Sequence, residues 1–542
     1  MRVLKLFIFQ TLLTMLKSKN TFLLPFLFLT FMSAGIFIGR IISSNTITAT
    51  NEPGNFSKMQ EIIGILDQEY VDSIERDELF EKTISDMLHE LDPHSNYIRA
   101  EDLKSANEVI QGKFGGVGIR FSIIRDTLCV TNVVPHSPSE RAGVLAGDRI
   151  IKIDKKKIAG KKVKSEDIMG LLKGDEGTPV TVQILRGKKQ LSKKIVRGII
   201  PIESIVCAIM LDKETGYIRL DQFSVSSSYE FHEAARMLKE KGMKKLIFDL
   251  RENGGGVLTG AVQIADEFLP SGAKIVEVRG KKMVSPPYIA TPGGLLEKTV
   301  AVVLINENSA SASEIVAGAL QDNDRATIIG RRSFGKGLVQ QDFMLRDSSN
   351  LRLTIARYYT PSGRCIQKDF DGNYDKYYHD QFDRQSNGEL FAPDSSIFKN
   401  AKKYKTVHGR TVYGGGGIMP DLFVAVDTSN SSYYYLDLRY SPAFQNFAFD
   451  FVQSKRSNWK NEQDFSTNFN VSNELLDRFV YYAQDNNDVP LIERDYKTSY
   501  ELIRRALKAE IARQLFLEQG YFTITTKYDT DVQKALKFLK TK

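Results

Sequence analysis

Residues 299–340 read TVAVVLINENSASASEIVAGALQDNDRATIIGRRSFGKGLVQ. The opening TVAVVLI is an apolar, β-branched run of the kind a parallel sheet buries on both faces. After the alternating Ser and Ala, Ile315, Val316, Ala319 and Leu320 recur at helical spacing. Ser311 therefore falls near a helix N-terminus, where unpaired N–H groups and the positive end of the dipole favour developing negative charge. Ala310 and Ala312 leave room beside its hydroxyl for a peptide backbone.

Lys336 lies beyond a second apolar run, residues 326–329, with Gly335 and Gly337 on either side. A Ser hydroxyl is a weak nucleophile until a base takes its proton. A Lys serves when burial disfavours its charged form and lowers its pKa towards neutrality. On spacing alone, the blander reading is a helix-capping Ser and a solvated Lys.

A second constellation lies upstream. Residues 244–250, KKLIFDL, read as another buried strand running into RENGGG at 251–256. Leu258, Ala261, Val262, Ala265, Phe268 and Leu269 then recur at helical spacing. Strand, triple glycine and helix aim backbone N–H groups into a crevice at the carboxyl end of a sheet, where they can form an oxyanion hole. A flexible turn or a phosphate loop are the alternatives. Gly330, four residues, then Gly335-Lys336 matches the first part of a P-loop. Gly337, however, stands where Ser or Thr would hold magnesium, and LVQQDFML after it alternates like a strand. The nucleotide reading is rejected.

DLRENGGG, SASASEIVAGALQDNDRA, SFGKGLVQ and YYTPSGR together resemble the signature blocks of the C-terminal processing peptidases, or tail-specific proteases, which are PDZ-bearing serine endopeptidases with a Ser–Lys dyad. The likeness spans roughly residues 55–427, with the blocks in the family's order. It implies an α/β multidomain chain whose protease core is ClpP/crotonase-like. It implies Ser311 as nucleophile, Lys336 as general base and Gln340 as the residue supporting that Lys. The Ala312 N–H matches one oxyanion donor; the triple glycine supplies the other, with Gly255 favoured over Gly254 and Gly256. No metal or cofactor is implied.

The resemblance extends to a PDZ domain at 109–200. Gly115, Gly116, Val117 and Gly118 match the loop whose N–H groups cap a free C-terminus. Ile119 and Phe121 are expected on the groove strand, and Ile168 and Leu171 on the facing helix. The expected partners are proteins with exposed C-termini, with a homo-oligomer and a delivering adaptor as further expectations. A PDZ adaptor that binds without cutting is the competing class, and Ser311→Ala against a tagged substrate discriminates the two.

The 542 residues exceed one ordinary domain. The net charge of +8 is modest and spread, giving no support to a nucleic-acid partner. Cys129, Cys207 and Cys365 are too few and too scattered for a disulfide framework or a zinc site. Residues 21–39 carry no charge and are rich in Phe and Leu, close to the roughly 20 residues that cross a bilayer. Arg2, Lys5, Lys17 and Lys19 precede them and orient the N-terminus to the cytoplasm. The expectation is a single-pass inner-membrane anchor within 1–45 and a periplasmic catalytic part. A cleaved signal peptide and a soluble periplasmic enzyme form the alternative.

Residues 46–108 read as helical, with LDPHSNY at 91–97 just before the PDZ domain. His94 reads as part of a turn, because Pro93 precedes it. The core is expected at 201–427, with a helix near 226–241. Residues 369–405, dense in Tyr, Phe, Asp and Lys without a clear period, are expected to be an inserted loop or cap. Residues 428–542 read as a helical extension that packs on the core, pairs subunits or holds a partner.

Overall fold

The computed structural model describes residues 55–282, 285–393 and 401–542, together with Met32. The expected anchor at 21–39 lies outside the described residues, Met32 apart. Among those residues no helix is long and apolar enough to cross a membrane.

The chain divides into two compact units, Met1–Lys82 and Thr83–Lys542. In the first lie α1 (Asn55–Glu69) and the opening turns of α2 (Arg76–His89). The second begins with the last turns of α2, then β1 (Asn96–Ile98) and α3 (Ala100–Gln111).

The PDZ domain follows. Its elements are β2 (Lys113–Gly116), β3 (Ile119–Ile124), β4 (Thr127–Val133), α4 (Pro138–Arg141), β5 (Arg149–Ile153) and β6 (Lys156–Lys157). Then come α5 (Ser165–Leu172), β7 (Pro179–Arg186), β8 (Lys189–Val196) and β9 (Gly198–Pro201). Strand order is β3-β4-β5-β7-β8, with β2 and β9 pairing as an antiparallel ribbon at the entry and exit. Among the described residues β3 ends the sheet, and its outer edge pairs with no strand. Ile119, Phe121 and Leu171 are half-buried against the domain's core. Ile168 is fully buried within that core alongside Leu172.

Beyond the ribbon run β10 (Ile205–Met210), β11 (Thr215–Leu220), α6 (Ser227–Glu240), β12 (Lys245–Asp249), α7 (Leu258–Asp266), β13 (Lys274–Gly280) and β14 (Tyr288–Ile289). The chain continues through β15 (Val300–Ile305), α8 (Ala312–Asp322), β16 (Ala326–Gly330), β17 (Leu338–Met344) and β18 (Asn350–Tyr359). Next come α9 (Tyr374–Ser386), β19 (Lys403–Lys405), β20 (Thr411–Tyr413) and β21 (Leu422–Phe423). The central sheet has the order β10-β11-β12-β15-β16-β21. All its neighbours are parallel except the β10–β11 pair.

Alternation assigns the faces. Leu246 and Phe248 of β12 pack with α6, α7 and α8, whereas Ile247 joins Val302, Leu304 and Ile329 on the other side. A parallel sheet needs both faces covered, and the second cover comes from the C-terminus. A smaller sheet, β1-β18-β13-β14 with β17 also on β18, stands beside the first.

The C-terminal region is α10 (Tyr433–Tyr440), α11 (Ala443–Val452), α12 (Glu462–Asn468), α13 (Asn473–Asn487), α14 (Glu493–Thr525) and α15 (Thr530–Leu539). It has its own apolar core and holds two other bodies. Val532, Ala535 and Leu539 of α15 cover the second face of the central sheet. Asp529 and Asp531 accept from Arg251 at 3.0 and 2.7 Å. On the PDZ side, Phe449 of α11 packs with Ile124 and Cys129. Asp450 takes both its oxygens to Arg125 (2.8 and 2.9 Å), and Gln445 donates to Ser122 (2.7 Å). Of the three roles open to this extension, packing on the core is the one the structure displays.

Candidate active site

Two loops meet at the carboxyl ends of the adjacent strands β12 and β15, the crevice position of an open α/β sheet. Buried polar groups lace them together. Ala310 N–H and Ser313 Oγ donate to Asn253 O (3.0 and 2.9 Å), and Ser309 Oγ donates to Leu250 O (2.8 Å). Asn253 is itself buried, its amide donating to Leu220 O (2.8 Å).

Ser311 caps α8 with φ 54° and ψ −111°, a backbone conformation that side chains rarely adopt. Such strain persists only where neighbours over-determine it. Gly255 (φ +98°) is one of those neighbours. A Cβ added there would stand 2.7 Å from Ala310 O, 2.8 Å from Ser311 Cβ and 2.9 Å from Ala312 N. Only glycine lets the triple-glycine loop come this close to the Ser311 turn. The Gly255 N–H donates to Asn253 Oδ1 at 2.9 Å. That donor is therefore already engaged, which bears on the oxyanion role expected of it.

Glu314, which the sequence reading passed over, is the fully buried centre of the arrangement. Its carboxylate accepts from the N–H groups of Ser311 (2.8 Å), Gly335 (2.7 Å) and Lys336 (2.8 Å) and from Ser333 Oγ (2.6 Å). Burial pushes this carboxyl up to about 7 against the pull of its four donors. Its signal was the Ser-x-x-Glu spacing of a helix start. Tyr358, also buried, makes a matching tie: its hydroxyl donates to the carbonyls of Ser311 (3.1 Å) and Lys336 (2.7 Å).

Lys336 and Ser311 line one cavity of about 620 Å³, with Gly254, Gly255, Gly256, Ala312 and Gln340 around them. The Lys336 amine donates to Gln340 Oε1 at 3.0 Å, and among the described residues no hydrogen bond joins it to the Ser311 hydroxyl. Burial lowers its pKa from the ordinary lysine value, helped by the Arg352 charge; Glu314 and Asp92 oppose the shift. Gln340 in turn donates to the carbonyl of His94. The His94 ring is buried, and burial with the nearby Lys336 charge pushes it down to about 3, so it is neutral.

The described residues of the insertion, 369–393 and 401–405, include the helix α9, which the Asn373 side chain caps and which backs the loop carrying Lys336. Arg384 of α9, 1% exposed, donates to the carbonyls of Arg332 (3.3 Å), Ser333 (3.0 Å) and Phe334 (3.3 Å).

Comparison with known proteins agrees with this architecture. Residues 214–374 match Peptidase family S41, residues 115–196 match the PDZ domain, and residues 434–517 match a family of unknown function (DUF8443). The chain is 39% identical over 349 residues to the carboxy-terminal-processing protease of Bartonella bacilliformis, covering 62% of this chain and 79% of that one. It is 34% identical over 337 residues to a probable CtpA-like serine protease of Staphylococcus aureus, covering 61% and 66%. Among solved structures, the photosystem II D1 C-terminal processing protease is 28% identical, covering 57% of this chain and 89% of that one, with a TM-score of 0.33.

The chain is thus a serine peptidase with a PDZ domain. It belongs to peptidase family S41, among the carboxy-terminal-processing proteases.

Proposed function

We propose that this peptidase cuts by Ser–Lys acyl-enzyme catalysis. The observation that carries the reading is the Lys336 amine, which shares the Ser311 cavity and whose charged form burial disfavours. A neutral amine takes the Ser311 proton as Oγ attacks the scissile carbonyl, then delivers it to the leaving amine. Water releases the acyl group, giving its proton to Lys336, which returns one to Ser311. The oxyanion falls to the Ala312 N–H at the start of α8 and to an N–H of the triple-glycine loop. Gln340 holds the amine in the resting state. A peptide in the cavity brings the amine onto the hydroxyl, since catalytic hydrogen bonds tighten on substrate binding.

The cavity walls include Ile110, Val257, Leu258, Ile315 and Val339, which suit an apolar side chain next to the cut bond. The free edge of β3, beside the Gly115-Gly116-Val117-Gly118 turn, suits a C-terminus added as an extra strand. Residues 21–39 anchor the chain in the inner membrane and leave the catalytic part in the periplasm. Alkaline extraction of membranes tests that placement: release of the full-length chain counts against it.

The chemistry is tested by kcat/KM against pH for wild type, Ser311→Ala, Lys336→Ala and Lys336→Arg. The reading expects wild-type activity to rise with pH along a limb below the ordinary lysine range, and all three variants to be inactive. A Lys336→Arg enzyme with wild-type activity sinks it, because arginine stays protonated.

A further inference from the structure

A chain of hydrogen bonds, passing through the body of His94, links the Lys336 amine to the N–H of the next residue, Gly337. The amine donates to Gln340 Oε1 (3.0 Å), and Gln340 Nε2 donates to His94 O. The Tyr377 hydroxyl of α9 lies 3.0 Å from His94 Nε2 and accepts from Gln367 Nε2 (3.1 Å). Gln367 Oε1 takes the Gly337 N–H (2.8 Å), which brings the path to the backbone beside Lys336. The Tyr377 hydroxyl and His94 Nε2 share a hydrogen bond whose donor is set by the tautomer of the neutral ring.

Two observations show that this hydrogen-bond chain is built in. The His94 turn is fixed from outside: Asp92 Oδ1 accepts the N–H groups of His94 and Ser95 at 2.8 Å each, and Tyr378 Oη donates to Pro93 O at 2.9 Å. The Tyr377 ring is pinned as well. Lys368 sits over its face at 4.0 Å and donates to its carbonyl (2.8 Å), and His94 meets it edge-on at 5.4 Å between centroids. Because a fixed carbonyl takes the Gln340 N–H, the amide cannot flip, and its oxygen must face the amine.

We propose that Tyr377 and His94 are positioning residues for the general base, acting on Lys336 through Gln340. The insertion that carries Tyr377 is then part of the catalytic apparatus. The proposal rests on the Ser311–Lys336 reading. The charged and titratable groups facing the amine are Glu314, Asp92, Arg352 and the His94 ring. Tyr377→Phe removes none of them, and burial keeps the His94 ring neutral once its hydrogen bond is lost, so a changed pH profile in that variant reports a moved amine.

The test measures kcat, KM and the pH profile of kcat/KM for Tyr377→Phe, Gln340→Ala and the double variant, with Lys336→Ala alongside. Tyr377→Phe is expected to lower kcat about tenfold through a misplaced base, with KM unchanged. Its acidic limb moves to higher pH as the freed amine regains solvent. The double variant is expected to be no worse than Gln340→Ala, because the two act in series. A wild-type kcat and limb in Tyr377→Phe overturns the positioning proposal, and so does a double variant whose loss is the product of the single losses. If Lys336→Ala is inactive beside such a result, only the positioning proposal falls. If Lys336→Ala stays active, the base assignment itself is gone. Should Tyr377→Phe fail to fold, Gln367→Ala cuts the same hydrogen-bond chain and is judged by the same outcomes.

Discussion

The backbones of Ser311 and Lys336 are stapled together at both polarities. Their N–H groups share one Glu314 oxygen at 2.8 Å each, and their carbonyls share the Tyr358 hydroxyl at 3.1 and 2.7 Å. Two buried side chains therefore fix the distance between the turn that carries the hydroxyl and the loop that carries the amine. In this structure the amine rests on Gln340.

Glu314 gives the staple a pH signature. Its carboxyl is raised from its ordinary 4.5 to about 7 in the folded protein. The folded state therefore binds more protons than the unfolded one across that window, so this group's stabilisation is full below about 4.5 and is lost as pH rises through 7. The change is on the order of 3 kcal/mol. Glu314→Gln does not titrate. In denaturant melts, the stability gap between wild type and the variant is expected to narrow as pH rises across this range. A gap that widens instead refutes the assignment.

Strain at Ser311 predicts opposite fates for stability and activity. Ser311→Ala keeps the costly backbone angles, whereas Ser311→Gly relieves them, since glycine occupies positive φ freely. Both variants are expected to be inactive. The glycine variant is expected to be more stable than the alanine variant by roughly 1–2 kcal/mol, measured by chemical denaturation.

Gly255→Ala meets a harder obstacle. The new Cβ would fall within 2.9 Å of three atoms of the Ser311 turn, at a φ of +98°. To fit, it must push Ser311 and the Ala312 N–H out of place. A fall in kcat of about a hundredfold or more is expected, the scale of losing one oxyanion donor. Steady-state kinetics on a peptide substrate checks this, with circular dichroism confirming that the sheet remains.

Phe449 carries the apolar part of the joint between α11 and the PDZ domain. Phe449→Ala is expected to cost about 3–5 kcal/mol, the usual price of emptying a buried aromatic site. It should also split thermal unfolding so that the PDZ domain melts ahead of the core. A single cooperative transition at the wild-type temperature would speak against the joint.

The sequence was legible where apolar pattern and small residues decide the structure. The strands β12 and β15 announced themselves as apolar runs, and α8 by the spacing of Ile315, Val316, Ala319 and Leu320. α9 was not legible, because it presents no apolar stripe: its buried residues are Tyr377 and Arg384, held by polar ties to distant loops. Glu314 was hidden for a related reason. A glutamate at a helix start looks like a solvated dipole partner until the fold closes Gly335 and Lys336 over it. The contact between Phe449 and Ile124 joins residues far apart in the chain, and no local pattern reports such a meeting.

That contact changes what the β2–β9 ribbon can do. Where two modules hang on a ribbon alone, adding residues to it lengthens the reach between them. Here a helical brace grips the PDZ sheet at Arg125 and Ile124 and the catalytic sheet at Arg251, bypassing the ribbon. Glycines inserted near residue 197 or 112 would leave the gap between the outer edge of β3 and Ser311 as it was. Reshaping the brace would reset it.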